Sequence, residues 1–187
     1  MTTRAMMSVC AVMSLMIPAV ATAQTDLATD VLKADIEAVL KSPDGGVDRQ
    51  ISVVDIGKLN VAVGVLHRGP TRDNAGPTTA IEHTQVTEVY YVLSGSGTLI
   101  TGTAVVDREQ ISPDSEIVQV AVGPSARATF QDQGNQVREI SSGDVVVIPA
   151  GVFHGWRDIE DHVTYLSIRP DPDRVLPAGY LNPAITH

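Results

Sequence analysis

Two histidines and one glutamate stand where they could bind a transition metal. His83 and Glu88 lie five residues apart at the start of a Val- and Tyr-rich run, and His154 follows a turn rich in Gly and Pro. Side chains alternate along a strand, so Glu88 shares a face with Tyr90 and Val92. A carboxylate on an apolar face is costly unless it is paired. Two neutral imidazoles and one carboxylate form a ligand set for a divalent transition metal that leaves coordination positions open.

Each of these three residues also has a purely structural interpretation. His83 could stand in a surface turn, Glu88 could be a charge at a strand end, and His154 could be a buried histidine bonded to a carbonyl. Taken together, the three residues favour metal binding, because an ion would also offset the cost of burying the Glu88 charge. The ligand types are compatible with Fe, Mn, Ni or Zn and do not choose among them.

Three further side chains are candidates for the same site. His67 shares a strand face with the three valines that precede it, and it is either a fourth metal ligand, a substrate contact or a histidine at the rim. Arg68 is either an anchor for a substrate carboxylate or phosphate, or a solvated arginine. Tyr90 lies on the face of Glu88, where its hydroxyl is either a proton donor to substrate or bonded to the backbone.

The elements that must position these residues are predominantly strands. Residues 26–41 have apolar positions at helical spacing and predict one amphipathic helix, which ends at a Pro-Asp-Gly-Gly turn. From residue 51 onward, short runs rich in Val, Ile and Thr alternate with turn residues, which is typical of an all-β sandwich or barrel. The predicted strands are 51–56, 60–67, 79–84, 88–93, 97–101, 117–122, 126–131, 136–140, 144–148, 152–157 and 163–169.

The region around His154 resembles the second sequence motif of the cupin superfamily. That motif has a Gly, five residues, Pro, one residue, Gly, two residues and His, and Gly143, Pro149, Gly151 and His154 stand in this register. Asp158 occupies the position where the family usually has Asn. The resemblance extends from about residue 51 to residue 170, and it implies an all-β fold, the cupin-type double-stranded β-helix or jelly-roll barrel, with one N-terminal α-helix added.

The region around Glu88 resembles the first cupin motif, with one departure. His83 matches the second His of that motif, Glu88 the Glu, and Gly95 the closing Gly, whereas Ile81 stands where the family has its first His. The resemblance therefore implies a site with three protein ligands for one divalent metal ion, His83, Glu88 and His154. It also raises the question whether His67 replaces the histidine that is absent at position 81.

The ends of the chain differ from the barrel region. Arg4 is followed by an uncharged apolar run and then by Ala21-Thr22-Ala23, a pattern that predicts a signal peptide at residues 1–23, cleaved before Gln24. We therefore expect a periplasmic or secreted protein. The remaining organisation is a helical segment at 24–46, a barrel at 47–170 and a Pro-rich tail at 171–187. The last strand is expected to end before Pro170, because proline cannot continue a central strand. The interval 108–116 is predicted to be an exposed loop.

Charge restricts the classes of partner. The net charge is −9, and loss of residues 1–23 removes one arginine and no acid, which makes it −10. Nucleic acids and anionic membranes are bound through Lys and Arg patches, so neither is an expected partner after cleavage. We expect a small-molecule ligand and a homodimer, because exposed edge strands are commonly paired. The leading hypothesis is a metalloenzyme of dioxygenase, isomerase or lyase type, and the alternative is a non-catalytic module that binds a small molecule or sugar.

Overall fold

A computed structural model describes residues 27–43, 46–71 and 76–186. The predicted signal peptide and its cleavage site lie outside these residues. Within the described ranges, no helix is both long and apolar enough to cross a membrane.

The structure confirms an all-β barrel of the double-stranded β-helix type, in which every strand pair is antiparallel. The strand order is β1-β2-β10-β4-β9-β3-β6-β5, and β7 and β8 each pair with β4. The first half of β4 joins the sheet of β10 and β8, and its second half joins the facing sheet of β9 and β7. The strands are β1 Asp48–Asp55, β2 Asn60–Arg68, β3 Thr79–His83, β4 Glu88–Gly102, β5 Val105–Gln110, β6 Ser125–Phe130, β7 Gln136–Ser141, β8 Val145–Ile148, β9 Phe153–Arg157 and β10 Val163–Asp171.

The sequence predictions for β4, β5 and β10 require correction. The two strands expected at 88–93 and 97–101 are one strand, β4, and part of the expected loop at 108–116 belongs to β5. β10 continues through Pro170, which was expected to lie beyond its end. Pro170 is tolerated because β10 pairs with β4 only as far as Ile168, so the last residues of β10 have β2 as their one neighbour in the sheet.

The predicted strand at 117–122 is wrong, because Val118–Val122 forms a π-helix. The backbone N–H of Gly123 donates to the Val118 carbonyl and closes this turn. Gly123 then leaves the helix with a φ of 65°, a conformation that favours glycine. Val118, Ala121 and Val122 are buried, and this spacing is helical, although the same β-branched residues are also typical of strands.

The predicted helix is present but shorter, at Lys33–Lys41 (α1). Its start is fixed by Asp35, whose carboxylate accepts a hydrogen bond from the Leu32 backbone N–H at 2.9 Å. Its last turn is held by Arg49 of β1, whose guanidinium donates to the carbonyls of Val39 and Leu40. A cation at this end also complements the helix dipole. Arg49 therefore joins α1 to the outer face of the barrel.

The position of α1 corrects the prediction for the face that contains His67. Val63 and Val65 of β2 pack with Val39 of α1 and with Leu166 of β10 on the outside of the barrel. Alternating valines along β2 suggest a face that points into the barrel. An outer face covered by a helix has the same apolar pattern, and this is the case here. His67 lies on this outer face and is exposed.

The interior of the barrel is filled at one end by a continuous apolar core, which leaves polar side chains at the other end. Leu99 and Tyr165 in this core are fully buried, at 0% exposure. The core comprises Leu66, Tyr90, Val92, Leu99, Ile140, Val146, Ile148, Trp156, Ile159, Val163 and Tyr165.

We expect Leu99→Ala to lower the free energy of unfolding by about 2–5 kcal/mol, because the site is closely packed and leaves a cavity. Val137→Ala on β7 is the matched control at an exposed position, where a change within about 0.5 kcal/mol is expected. Urea denaturation of both variants measures the difference. Equal losses in the two variants would contradict the assignment of the core.

Candidate metal centre

The three predicted metal ligands meet at the polar end of the barrel interior. Glu88 is the first residue of β4, His83 is the last residue of β3, and His154 lies near the start of β9. His154 stands directly opposite Ile81 on β3 and Thr101 on β4. The three ligand residues are between 1% and 4% exposed, so the interior face predicted for Glu88 is confirmed.

The ligand atoms converge on one oxygen. Glu88 Oε2 lies 3.4 Å from His83 Nε2 and 3.1 Å from His154 Nε2. The two imidazole rings are 5.1 Å apart between centroids and inclined at 60°. One ligand atom from each of the three residues lies within 4.8 Å of the others, and this is the one such group among the described residues.

The hydrogen bonds at the far side of each ring assign the imidazole protons. His154 Nδ1 lies 3.1 Å from the Val152 carbonyl, which can only accept, so Nδ1 carries the proton. His83 Nδ1 lies 2.8 Å from Ser125 Oγ, which donates its own hydroxyl proton to the Gly123 carbonyl. Ser125 therefore accepts from His83 Nδ1. When a ring is neutral, its Nε2 presents a lone pair toward the Glu88 carboxylate.

Such an arrangement requires a positive charge between the rings and the carboxylate. Lone pairs on two nitrogens and one carboxylate oxygen repel unless a ring is protonated or a cation lies among them. Metal-bound histidines typically donate their other N–H to a carbonyl, carboxylate or water. His154 donates to a carbonyl in this way, whereas His83 donates to the Ser125 hydroxyl. Two imidazole nitrogens and one carboxylate oxygen suit Fe, Mn, Ni or Zn better than Ca or Mg. The residues present fit a divalent transition metal.

The second oxygen of Glu88 is occupied by protein donors. Ser167 Oγ donates to Glu88 Oε1 at 2.6 Å and Arg169 Nε donates at 3.0 Å. Burial alone would raise the pKa of Glu88, but in the metal-free site the charge of a protonated His83, the charge of Arg169 and hydrogen bonds from the histidines hold it well below its usual range. The carboxylate is therefore ionised, and it is free to bind an ion only through Oε2.

Arg169 is a functional residue that the sequence analysis missed. It is 0% exposed, and its guanidinium donates to Gln50 Oε1 at 2.8 Å, to the Ala121 carbonyl at 3.1 Å and to the Asp48 carboxylate. Burial alone would lower its pKa, but Asp48 and Glu88 raise it, so Arg169 remains charged. The signal was present, because Arg169 lies in inward register with Tyr165 and Ser167 on β10 and thus repeats the pattern that identified Glu88.

Tyr90 lies where the sequence placed it, beside Glu88. Its hydroxyl donates to Glu88 Oε2 at 2.9 Å, and its ring is 6.0 Å from that of His154. Burial and the neighbouring Glu88 carboxylate raise the pKa of Tyr90 well above its usual value, so the hydroxyl keeps its proton.

The structure does not bring His67 or Arg68 to the three ligands. His67 Nδ1 lies 2.8 Å from Thr164 Oγ1, and its ring stacks on that of His162 at 5.7 Å on the outside of the barrel. His67 therefore does not take the place of the histidine absent at Ile81. Arg68 Nε donates to the Tyr165 hydroxyl at 3.0 Å and contributes to the site only through that ring.

Comparisons with known proteins identify similar solved structures. No protein-family model and no curated protein matches the chain. A Bacillus halodurans protein is 14% identical over 85% of this chain and 92% of its own, with a TM-score of 0.46. A Klebsiella pneumoniae protein with a double-stranded beta-helix domain is 13% identical over 80% and 93%, with a TM-score of 0.41. Recombinant oxalate oxidase in complex with glycolate is 16% identical over 71% and 54%, with a TM-score of 0.42. The fold assignment rests on the strand order and register of this chain.

The depressed pKa of Glu88 predicts a specific pH dependence of stability. Its folded pKa lies below the usual value of 4.5, so its contribution to the free energy of unfolding is complete above that value and is lost as the pH falls through the folded pKa. Glu88→Gln lacks this contribution. We expect the stability difference between the wild type and Glu88→Gln to be largest near pH 7 and to narrow below about pH 4.5.

Denaturation in the presence of a chelator, between pH 7 and pH 3, measures this difference without bound metal. Glu37→Gln, on the exposed surface of α1, is the control, and its curve is expected to remain parallel to that of the wild type. A stability difference between wild type and Glu88→Gln that stays constant over the whole range would contradict an ionised, stabilising Glu88.

Proposed function

We propose that this protein holds one divalent transition metal through His83 Nε2, His154 Nε2 and Glu88 Oε2, and that it is an exported metalloenzyme of dioxygenase, isomerase or lyase type. The observation that carries the proposal is the approach of both Nε2 atoms to one carboxylate oxygen, at 3.4 and 3.1 Å, while each Nδ1 is hydrogen-bonded elsewhere. A metal with three protein ligands retains open positions and supplies Lewis-acid or redox chemistry to a substrate bound beside it.

The surrounding residues perform separate tasks in this proposal. Ser125 and the Val152 carbonyl fix the tautomers of the two histidines, so that both Nε2 atoms face inward. Ser167 and Arg169 hold Glu88 Oε1 and leave Oε2 for the metal. Tyr90 places a protonated hydroxyl at the site, where it can donate to a substrate atom.

The proposed substrate is a small polar metabolite. The ligands lie inside the barrel, a location that suits a small molecule rather than a macromolecule. The acidic chain lacks the basic patches that nucleic acid or anionic membrane binding requires. The test is the melting temperature of the purified protein, measured with metal present and with each of a panel of small acids and sugars. If no compound raises the melting temperature, this substrate class is contradicted.

A second copy of the chain is the proposed macromolecular partner. Val145 and Val147 of β8 and Tyr91 of β4 are between 43% and 63% exposed and lie side by side on one face. Among the described strands β8 pairs with β4 alone, which leaves its other edge available for pairing. Light scattering that gives a monomer mass at every concentration would contradict the dimer.

The proposed export is tested separately by N-terminal sequencing. Exported protein that still begins at Met1 would contradict cleavage of a signal peptide.

A non-catalytic binding module is the second candidate function. It is favoured by the burial of all three ligands, because a closed site suits a molecule that is retained rather than turned over. The two functions differ in their outcome with substrate. An enzyme converts it at a rate that depends on the metal, whereas a binding module returns it unchanged.

We expect His154→Ala to lose metal, because it removes one of three ligands while the apolar core remains intact. The loss of affinity should exceed the roughly 10–100-fold that removal of an outer hydrogen-bonding partner costs. His67→Ala is the matched control, a histidine outside the site, and it should bind metal as the wild type does. Elemental analysis and titration with Co²⁺ measure both. Equal metal content in the wild type and His154→Ala would overturn the proposed site.

A further inference from the structure

The π-helix and the residues just after it are linked by hydrogen bonds, directly or through Arg169, to two of the three proposed metal ligands. We call residues 118–125 the π-helical segment. The segment contains the Ala121 and Gly123 carbonyls and the Ser125 hydroxyl, which take part in hydrogen-bond chains to Glu88 and to His83. No residue of the segment belongs to the ligand set itself.

The first link passes through Arg169. Its Nη1 donates to the Ala121 carbonyl at 3.1 Å, and its Nε donates to Glu88 Oε1 at 3.0 Å. The guanidinium is planar and rigid, so a displacement at Nη1 also moves Nε. Arg169 is fully buried, and no solvent molecule can replace a lost protein acceptor without opening the barrel. The position of Ala121 therefore affects how the Glu88 carboxylate is held.

The second link passes through Ser125. Its hydroxyl donates to the Gly123 carbonyl at 2.8 Å and accepts from His83 Nδ1 at 2.8 Å. If Gly123 moves away, the hydroxyl can rotate and donate to His83 Nδ1 instead. His83 would then carry its proton on Nε2 and could not bind a metal through that atom. The position of Gly123 therefore affects the tautomer of His83.

The segment also covers the polar end of the barrel. Gly123 lies against Val86 and Val175, so closely that an added Cβ would be 2.7 Å from Val175 Cγ2. The Pro124 carbonyl accepts from the Thr84 backbone N–H at 2.8 Å, next to His83. A single π-helical turn has few internal hydrogen bonds. Such turns are rare in proteins, and those that occur are often found at functional sites. The cover is held by packing of its buried residues against Ile111 and Ile117 and by its hydrogen bonds to the site.

We propose that the π-helical segment is a cover coupled to the metal: binding of the ion orders the segment, and displacement of the segment weakens binding of the ion. This inference rests on the proposed metal site and adds a means of access to it. Coupling between two sites is reciprocal, so each effect requires the other. It also explains how a site with ligands no more than 4% exposed can admit a small molecule.

Two conservative variants break the two links separately. In Gly64→Ala the added Cβ would lie 2.8 Å from Arg169 Nη1, the nitrogen that donates to Ala121, and the charge of Arg169 is unchanged. Ser125→Ala removes the hydroxyl between His83 and Gly123. Ser167→Ala is the matched control, because Ser167 donates to the same Glu88 oxygen as Arg169 but, among the described residues, its hydroxyl makes no hydrogen bond to the segment.

The experiment is amide hydrogen exchange of the peptide that contains residues 118–125, followed by mass spectrometry, with and without saturating Co²⁺. In the wild type we expect Co²⁺ to slow exchange at least about fivefold, the lower end of typical coupling between sites. The slowing should be smaller in Gly64→Ala and in Ser125→Ala, and absent in the double variant. Ser125→Ala should also bind Co²⁺ about 10–100-fold more weakly. Ser167→Ala should bind Co²⁺ more weakly, but saturating Co²⁺ should still slow amide exchange in its segment as in the wild type.

The possible failures are distinguishable. If the wild type binds no Co²⁺, both the proposed metal site and this coupling are wrong. If Co²⁺ binds but exchange of the segment is unchanged, the metal site stands and the coupling is overturned. Retention of the full slowing in the double variant would also overturn it, because the two links would then carry none of the effect.

Discussion

The burial of one carboxylate at the polar end of the barrel is the constraint on which the rest of the site depends. Glu88 is 1% exposed, and an isolated charge there would be prohibitively costly. Its two carboxylate oxygens have different neighbours. Oε1 is bonded to Ser167 and Arg169, whereas Oε2 faces two imidazole nitrogens and the Tyr90 hydroxyl. This division of the carboxylate converts a buried charge into a ligand of defined direction.

The strand topology places the donors around that carboxylate. β10 carries Ser167 and Arg169 beside β4, and β1 contributes Asp48 and Gln50 on the far side of the guanidinium. A buried arginine without such partners would destabilise the fold, and so would a buried glutamate without Arg169. The site is therefore a network in which each charge is required by its neighbour.

Local rules predicted the parts of the site that lie within single strands. Alternation placed Glu88 inward, and the spacing of glycines and prolines around His154 indicated its turn and strand. The same rules failed where a partner from elsewhere in the chain decides the outcome. His67 lies on an apolar face that α1 covers from outside, and Val118–Val122 is helical because its buried residues face one side. Arg169 meets Glu88 only because β10 pairs with β4, a contact between distant parts of the chain that local rules do not predict.

In the proposed site, the Nδ1-protonated forms of His83 and His154 and Oε2 of Glu88 bind one metal ion. Anomalous X-ray diffraction at the cobalt edge, from crystals grown with Co²⁺, tests this arrangement most directly. We expect one strong peak inside the barrel, bonded to Nε2 of both histidines and to Oε2 of Glu88. A barrel interior without a peak, or cobalt bound only at His67 and His162 on the outer surface, would contradict it.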